Sequence, residues 1–306
     1  MNRSGGHARA HSNLGLAARP ALPAGAQAVV LSLLFALVHH RTFSELWGIW
    51  TTNDNYSHGP LVPMTSAILV AMRWRKFEAI PFSPDARGLA LIALSCLMQV
   101  VGIRADLFAL QCWSVLPLLF GLSLTFLGRA RTHMLTFPIA YLAFMFTFPP
   151  FIMNQLSYAL KEIAMAGATR GAEWLGVTLH RAGMSLYLVS GELRVENPCS
   201  GLRSLLALLA TATMFAYFQP GGLGRRAAMM LGAIPIAILG NAARLLLLIV
   251  AAHYRSVEWA TGAFHDVTGY VIYAVALAAL LVLRSMLSPV REGRASALQR
   301  VRGLNP

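Results

Sequence analysis

The sequence predicts an all-α polytopic membrane protein with about eight transmembrane helices, a small extracytoplasmic amphipathic helix and a short β-hairpin. Hydrophobic residues make up 57% of the 306 residues and charged residues only 12%, whereas a soluble domain carries about 25% charged residues. The mean hydropathy is +0.59, and the apolar residues are grouped in several long stretches, as in membrane-spanning helices. These observations exclude a soluble globular protein.

Eight apolar segments are candidate membrane helices. They are Gln27–His40, Pro60–Met72, Gly88–Ile103, Leu107–Leu127, Met134–Phe151, Cys199–Phe218, Ala227–His253 and Val267–Leu287. The first two are short against the roughly 20 residues that a spanning helix needs. The first can extend back toward Ala21, and we interpret it as an anchor because no small-residue cleavage site of a signal peptide follows Val38. The second is tilted or partly re-entrant in this interpretation.

The basic residues predict the orientation in the membrane. With the N-terminus in the cytoplasm, sixteen arginine and lysine residues fall in cytoplasmic tails and loops, and seven fall outside. Short cytoplasmic loops rich in Lys and Arg are typical of polytopic proteins. We therefore expect a cytoplasmic tail at 1–20, a transmembrane domain at 21–287 with an outer loop at 152–198, and a basic cytoplasmic tail at 288–306. This placement puts most of the basic residues behind the net charge of +13 in loops and tails beside the lipid bilayer. We therefore expect no nucleic acid as a partner.

The outer loop is the one sizeable region outside the membrane segments in this interpretation. Apolar residues that include Ile163 and Trp174 alternate there with charged residues, which predicts an amphipathic helix lying on the membrane surface. Residues 184–189 and 192–196 flank Ser190-Gly191 and predict a β-hairpin. The hairpin could cover a site or bind an extended peptide by strand addition. A plain surface loop is the alternative.

Cys199 is the sharpest candidate for chemistry. It lies in residues 196–203, Glu-Asn-Pro-Cys-Ser-Gly-Leu-Arg, directly before an apolar run. A helix N-terminus carries partial positive charge and unpaired N–H groups, which favour a thiolate and could bind an oxyanion beside Ser200. Desolvation near the bilayer opposes the thiolate, and the balance stays open. Cys96 and Cys112 lie inside apolar segments and are expected to be buried core residues.

Two arginines and an asparagine are unusual in this setting. Arg244 interrupts the apolar stretch Ile234–Val250, and a guanidinium inside a membrane has to face a polar cavity or a partner. Asn241 is three residues earlier and shares its helix face. Arg203 lies four residues after Cys199, on the face of the thiol. The alternatives are an Arg244 that only ties helices together and an Arg203 that reaches to the membrane surface.

Two histidines are expected on the same outer face. His265 precedes the eighth segment and is a candidate general base or acid for the thiol. His58 precedes the second segment and is a candidate supporting residue. The alternative for His265 is an interfacial residue beside Asp266, which could cap the helix. Cys199, His265 and His58 lack the spacing of metal ligands, so we expect no metal and no other cofactor.

Three groups of residues carry a family resemblance. They are residues 195–204 around Cys199, then Ile234-Pro235-Ile236-Ala237 with Asn241 and Arg244, then Phe264-His265 with Gly269. With Trp50 and Ser57-His58-Gly59, their order and spacing resemble the exosortase/archaeosortase family from about Trp50 to Leu287. One departure is Asn197-Pro198, where an acidic or alanine-rich pair usually precedes the cysteine.

The resemblance implies a multi-pass cysteine protease and transpeptidase of the Gram-negative inner membrane, with its active site facing the periplasm. Its substrates would be membrane-anchored proteins with a C-terminal Pro-Glu-Pro sorting signal, a membrane helix and a basic tail, often encoded beside exopolysaccharide genes. The family's proposed triad corresponds to Cys199, Arg244 and His265. We assign supporting or substrate-binding roles to Arg203, Asn241, His58 and Ser200. No particular oligomeric state or acceptor nucleophile follows.

Two other functions stay open. A transporter or channel would line an anion path with Arg244 and Asn241 and would not need Cys199. A non-catalytic scaffold for exopolysaccharide export would tolerate alanine at all three residues of the proposed triad.

Overall fold

The computed structural model describes residues 24–195 and 201–288, which fall into two compact units that divide after Phe43. Of the first unit, the structure describes the residues from Ala24 onward, which form the beginning of one long helix. Within it, Phe35 stacks on His39 one turn later, with ring centroids 5.0 Å apart. The second unit, from Ser44 onward, contains the other helices and the sheet.

Helices make up most of the described residues. In chain order the elements are α1 (Ala24–Thr52), a 3₁₀ turn (Asp54–Tyr56), α2 (Leu61–Met72), α3 (Trp74–Glu78), α4 (Gly88–Arg104), α5 (Phe108–Trp113), α6 (Val115–Leu122), a π-helical turn (Ser123–Leu127), α7 (Arg129–Tyr141), a second 3₁₀ turn (Leu142–Met145), α8 (Pro150–Trp174), β1 (Leu179–Ala182), β2 (Ser185–Leu188), β3 (Gly191–Arg194), α9 (Leu202–Phe218), α10 (Leu223–Tyr254), α11 (Val257–Thr261) and α12 (Ala263–Leu287).

The lengths of these helices support a multi-pass membrane protein. In the described part of the chain, the segments long and apolar enough to span are Val29–Thr52, Phe108–Leu127, Leu223–Tyr254 and Ala263–Leu287. A fifth arises if Arg129–Met145 and Pro150–Trp174, which are bent by 77°, form one broken span. α4 and α9 are apolar but shorter, and α2 has only 12 residues. The predicted class is therefore confirmed, whereas the predicted count of about eight spans is not.

The burial pattern of α4 is the reverse of that of a soluble helix. Its small or polar residues Ser95 and Gln99 are buried, whereas Leu97 and Val100 are exposed. The Ser95 hydroxyl donates to the Ser114 carbonyl at 2.7 Å, and the Ser114 hydroxyl donates to the Gln99 side chain at 2.9 Å. Polar groups in a bilayer have to be satisfied inside the protein, so this face of α4 packs inward and its apolar face is left for lipid.

The same helix corrects one expectation about the cysteines. Cys112 on α5 is buried, as expected, but Cys96 on α4 is exposed. Cys96 follows Ser95 directly, and consecutive residues of a helix point in different directions. With Ser95 turned toward α5 and α6, Cys96 belongs to the apolar outer face.

α8 occupies the region where a surface amphipathic helix is predicted, but it is longer and packs differently. It begins at Pro150 and turns its buried residues Leu160, Ala164, Met165 and Ala168 inward. Met165 and Ala168 belong to an apolar cluster that also contains Leu245 and Leu248 of α10. Ile163 and Trp174, which the sequence places on the apolar face, are exposed. Whether that exposed face lies on lipid stays a prediction.

The predicted hairpin is part of a three-stranded antiparallel sheet in the order β1-β2-β3. The β2–β3 register pairs Leu186 with Leu193 and Tyr187 with Glu192. Leu186, Leu188 and Leu193 are buried against α10, because they belong to the same apolar cluster as Leu248. The sheet thus packs in one apolar cluster with α10.

α9, α10 and α12 form the second packed region. Leu205 and Leu208 of α9, Met229 and Ala233 of α10 and Leu280 of α12 belong to one buried cluster. Alanines on α10 let the helices approach closely, as is common in membrane bundles. This packing holds the first turns of α9 and α12 beside the middle of α10.

Candidate functional site

A cavity of about 590 Å³ lies where α9 and α12 begin. Its walls come from four parts of the chain: the 3₁₀ turn and loop before α2, the start of α9, the middle of α10 and the start of α12. Its lining residues are Asp54, Asn55, Ser57, His58, Leu61, Gly201, Arg203, Ser204, Ala207, Arg244, His265, Asp266, Gly269, Tyr270 and Tyr273. The fold therefore gathers into one cavity four of the sequence-predicted site residues, His58, Arg203, Arg244 and His265.

The guanidinium of Arg244 lies against His265. Its Nη2 atom is 3.0 Å from Nε2 and 3.4 Å from Nδ1 of the imidazole, and it donates to the His265 carbonyl at 3.2 Å. A guanidinium has donors only, so the ring nitrogen that faces it has to accept. The shorter contact identifies Nε2 as the unprotonated nitrogen of His265.

The other ring nitrogen of His265 faces a carboxylate. Nδ1 lies 3.2 Å from Oδ1 of Asp266, and an ionised carboxylate can only accept, so Nδ1 carries the proton. The imidazole is largely shielded, with its side chain 19% exposed, whereas that of Asp266 is 76% exposed. Asp266 therefore fixes the tautomer from the solvent side of the cavity.

The position of His265 differs from the sequence expectation. α12 begins at Ala263 after an N-terminal cap at Gly262, so His265 and Asp266 both lie in its first turn. The expected helix starts at Val267, with Asp266 as a possible cap. α12 starts earlier because Gly262 (φ −83°, ψ −137°) is both the C-terminal cap of α11 and the N-terminal cap of α12.

A glycine makes room for the guanidinium. A Cβ atom at Gly269, one turn after His265, would lie 3.1 Å from Nη2 and 3.3 Å from Cζ of Arg244. The missing side chain lets Arg244 lie flat against α12. The Nε atom of Arg244 is buried and has no hydrogen-bond partner among the described residues, which leaves a donor without an acceptor next to the cavity.

Asn241, predicted as a supporting or substrate-binding residue, lies against the start of α9. Gly201 has φ +74°, and a Cβ atom there would lie 2.6 Å from Cγ and 2.8 Å from Nδ2 of Asn241. Position 201 thus requires glycine for two reasons, the left-handed backbone and the close contact with the buried Asn241. Asn241 does not line the main cavity. It packs against the residue that starts α9, two positions after Cys199 in the sequence.

Arg203 reaches across the cavity to a residue that the sequence does not single out. Its Nη1 atom is 3.4 Å from Oδ1 of Asp54. Both side chains are more than half exposed, so the pair contributes at most about 1 kcal/mol to stability. A signal for Asp54 exists in the sequence, because it is one of only 12 acidic residues and stands four positions before His58.

His58 is held in one orientation. Its Nε2 atom donates to the Phe144 carbonyl at 3.2 Å, and Nδ1 is buried without a partner among the described residues. Burial lowers the pKa of His58, and the positive charge of Arg203 lowers it further, against the opposing effect of the Phe144 carbonyl. The next residue, Gly59, lies directly under the Trp50 indole, whose N–H donates to the Met145 carbonyl at 3.0 Å.

Cys199 and Ser200, the remaining predicted site residues, lie outside the described residues. The described chain stops at Val195, after β3, and resumes at Gly201, which lines the cavity. The position of the thiol relative to Arg244 and His265 therefore stays a prediction.

The described side chains place a guanidinium and an oriented imidazole together in one cavity that is partly open to the surface. This combination can stabilise a developing oxyanion and transfer a proton. Across residues 24–195 and 201–288, no three His, Cys, Asp or Glu side chains come together as a metal site would require.

Comparison with known proteins adds one match. The profile of the family described as transmembrane exosortase matches residues 50–282. No curated protein and no solved structure matches the chain significantly. The matched region covers well over half of the chain and contains every residue that lines the cavity. The chain therefore belongs to the transmembrane exosortase family.

Proposed function

We propose that the protein is a membrane cysteine peptidase, acting as a transpeptidase, that processes C-terminal sorting signals of the Pro-Glu-Pro type. The observation that carries the proposal is the 3.0 Å contact between Arg244 Nη2 and His265 Nε2, in a cavity that Gly201 also lines. Gly201 follows Cys199 by two residues. Membership of the transmembrane exosortase family supports the same chemistry, because that family is generally cysteine-peptidase-like.

In the first half of the reaction, the Cys199 sulfur attacks the carbonyl carbon of the scissile peptide bond. His265 Nε2 takes the thiol proton, and the negative charge moves onto the carbonyl oxygen. Once protonated, Nε2 no longer accepts from Arg244, so the guanidinium N–H groups donate to this oxyanion, where a nearby cation has its largest effect. The C–N bond breaks, the leaving amine receives the proton from His265, and a thioester to Cys199 remains.

In the second half, water or an acceptor amine attacks the thioester carbon. His265 takes a proton from this nucleophile and returns it to the Cys199 sulfur as the C–S bond breaks. Water gives hydrolysis and an amine gives transfer. Asp266 holds the proton on Nδ1 in both halves, so that Nε2 is always the nitrogen that exchanges protons.

The distribution of basic residues supports a periplasmic active site. With both termini in the cytoplasm, α9 and α12 begin at the outer membrane surface. In this arrangement the Cys199 segment meets a substrate whose cleavage site lies just outside its own membrane helix. The proposed location is the bacterial inner membrane.

Two features disfavour the channel hypothesis. Asn241, expected to line an anion path together with Arg244, packs against Gly201 and does not line the main cavity. The space on the inner side of Arg244, between α9, α10 and α12, is only about 10 Å³, which holds a single water molecule at most. Among the described residues, the main cavity does not continue into a path for an ion.

The proposal is tested by coexpression with a membrane-anchored reporter that carries a Pro-Glu-Pro segment, a membrane helix and a basic tail. Wild-type protein should convert the full-length reporter into a shorter form, with a new C-terminus that mass spectrometry locates at the sorting signal. Cys199→Ala should leave the reporter at full length. Cys96→Ala is the matched control, since Cys96 is exposed on α4 away from the cavity. Normal processing of the reporter by Cys199→Ala would contradict the proposed function.

A further inference from the structure

We propose that the outer edge of β3 is the docking strand for the substrate, to which the extended segment beside the scissile bond adds as a fourth strand of the sheet. The inference rests on the proposed peptidase function. The docking surface lies outside the catalytic cavity, and its occupant is an extended peptide that belongs to a membrane-anchored protein.

The register shows which backbone groups β3 offers. Val195 donates to the Met184 carbonyl at 3.0 Å. The pairs Leu186–Leu193 and Leu188–Gly191 follow at every second position from this bond, so they are the hydrogen-bonded pairs of the two strands. In an antiparallel pair, hydrogen-bonded positions alternate with positions that face away. The N–H and C=O groups of Glu192 and Arg194 therefore point away from β2, to the side of β3 where the described residues place no further strand.

The sheet packs in one apolar cluster with the sequence neighbours of Arg244 and His265. The inward side chains of β3, Leu193 and Val195, belong to one apolar cluster with Leu245 and partly buried Phe264. Leu245 follows Arg244 directly, and Phe264 precedes His265 directly. A peptide paired with β3 would thus extend a sheet whose inner face packs in the same apolar cluster as the helix segments that carry the guanidinium and the imidazole, and β3 precedes Cys199 by five positions in the sequence.

The edge suits a short peptide better than a second copy of the sheet. β3 has only four residues, and α11 meets it at Gly191, where an added Cβ atom would lie 3.4 Å from Val257. The open stretch is Glu192–Arg194, whose oppositely charged side chains lie 3.5 Å apart. Short, charged edges discourage pairing between copies, whereas a membrane-anchored peptide meets the edge at high effective concentration.

The first experiment distinguishes the effect of the Arg194 backbone N–H group from the effect of its side chain. Arg194→Pro removes an outward N–H group without removing a β2–β3 hydrogen bond, and proline is tolerated at such edge positions. Arg194→Ala removes the same side chain but keeps the N–H. We expect Arg194→Pro to process the Pro-Glu-Pro reporter at least about threefold more slowly than Arg194→Ala, from one lost hydrogen bond and the obstruction by the proline ring. Equal rates in the two variants, at equal membrane abundance and equal Tm, would overturn the proposal.

A second experiment measures docking without cleavage. A photo-crosslinking amino acid replaces Glu192 on the open edge in a Cys199→Ala background. The control carries it at His180, which is exposed on β1, about 10 Å away across the sheet. The reporter should crosslink from position 192 and at least about tenfold less from position 180.

The two experiments distinguish the two proposals. A crosslink at position 192 in a protein whose wild type does not cleave the reporter supports docking and rejects the peptidase function. Cleavage by wild type, with equal crosslinking from positions 192 and 180, rejects docking and leaves the peptidase function standing.

Discussion

The guanidinium of Arg244 and the imidazole of His265 are in direct contact, with Nη2 3.0 Å from Nε2. The residues come from different helices and are separated by 21 positions in the sequence. In the absence of substrate, the only donor group in this contact is the guanidinium, so Nε2 is kept as an acceptor. In the proposed function, this one contact brings together the base and the cation that binds the oxyanion.

Replacing Arg244 by lysine should abolish most reporter processing. A lysine ammonium is a compact point charge on a differently shaped side chain, so it does not reproduce the planar guanidinium whose Nη2 contacts both Nε2 and the carbonyl of His265. We expect a loss of about 100-fold or more in processing rate, the usual effect of removing an oxyanion donor. The measurement is the rate of reporter conversion in membranes. Arg255→Lys is the control, because Arg255 lies over Trp259 instead of in the cavity. A rate for Arg244→Lys within about threefold of wild type would contradict an oxyanion role.

Replacing Gly201 by alanine should distort the start of α9. The new Cβ atom meets the Asn241 side chain at 2.6 Å, and the backbone at φ +74° is unfavourable for alanine. Gly183→Ala is the matched control, since Gly183 has φ +62° with nothing within 4 Å and shows the backbone effect alone, about 1–2 kcal/mol. We expect Gly201→Ala to lower the Tm in detergent more than Gly183→Ala does.

The double variant Gly201→Ala/Asn241→Ala separates the two causes further. It should recover part of the Tm lost in Gly201→Ala, because the side-chain overlap is gone, but not the part due to the backbone. No recovery, or equal Tm losses at positions 201 and 183, would show that Asn241 does not position the start of α9.

Acidification should destabilise the protein through His58. Burial and Arg203 lower its pKa below the ordinary 6.5, so below pH 6.5 the unfolded chain binds a proton that the folded protein does not. Stability is therefore fully present above this pH and falls as the pH decreases toward the folded-state pKa. Tm measured between about pH 7.5 and pH 5 should decline less steeply in His58→Gln than in wild type. Parallel curves would contradict a neutral His58.

The orientation is tested by single cysteines in a protein lacking all three natural ones. Val189 in the β2–β3 turn is 90% exposed, and Arg75 is exposed in α3. An impermeant maleimide should label Val189→Cys in intact spheroplasts, and Arg75→Cys only after permeabilisation. The reverse pattern would place the cavity on the cytoplasmic side.

Much of the fold could be predicted from runs of apolar residues. The predicted segment Gly88–Ile103 corresponds to α4, and Ala227–His253 lies within α10. The number of true spans was not predictable in this way, because hydropathy does not distinguish a helix that crosses the bilayer from a shorter one buried among neighbours. β1 was missed because His180 and Arg181 interrupt its apolar pattern, and the strand depends on pairing with β2.

Part of the candidate site could also be predicted from the pattern of apolar residues. Arg244 stands out in the sequence because a charge inside an apolar helix needs a partner, and that partner is His265. Asp54 and Tyr273 were not predicted, since they reach the cavity only through packing between segments distant in the sequence. The contact of Asn241 with Gly201 was not predicted, because helix periodicity shows which face Asn241 occupies but not which neighbour it meets.

The most direct measurement is the mass spectrum of the wild-type protein isolated from membranes during reporter processing. A peptidase that acts through Cys199, Arg244 and His265 should carry the reporter as a thioester on Cys199, which hydroxylamine releases and which is missing from Cys199→Ala. Reporter cleavage that continues in Cys199→Ala, or that proceeds through an adduct on another residue, would contradict the proposed mechanism.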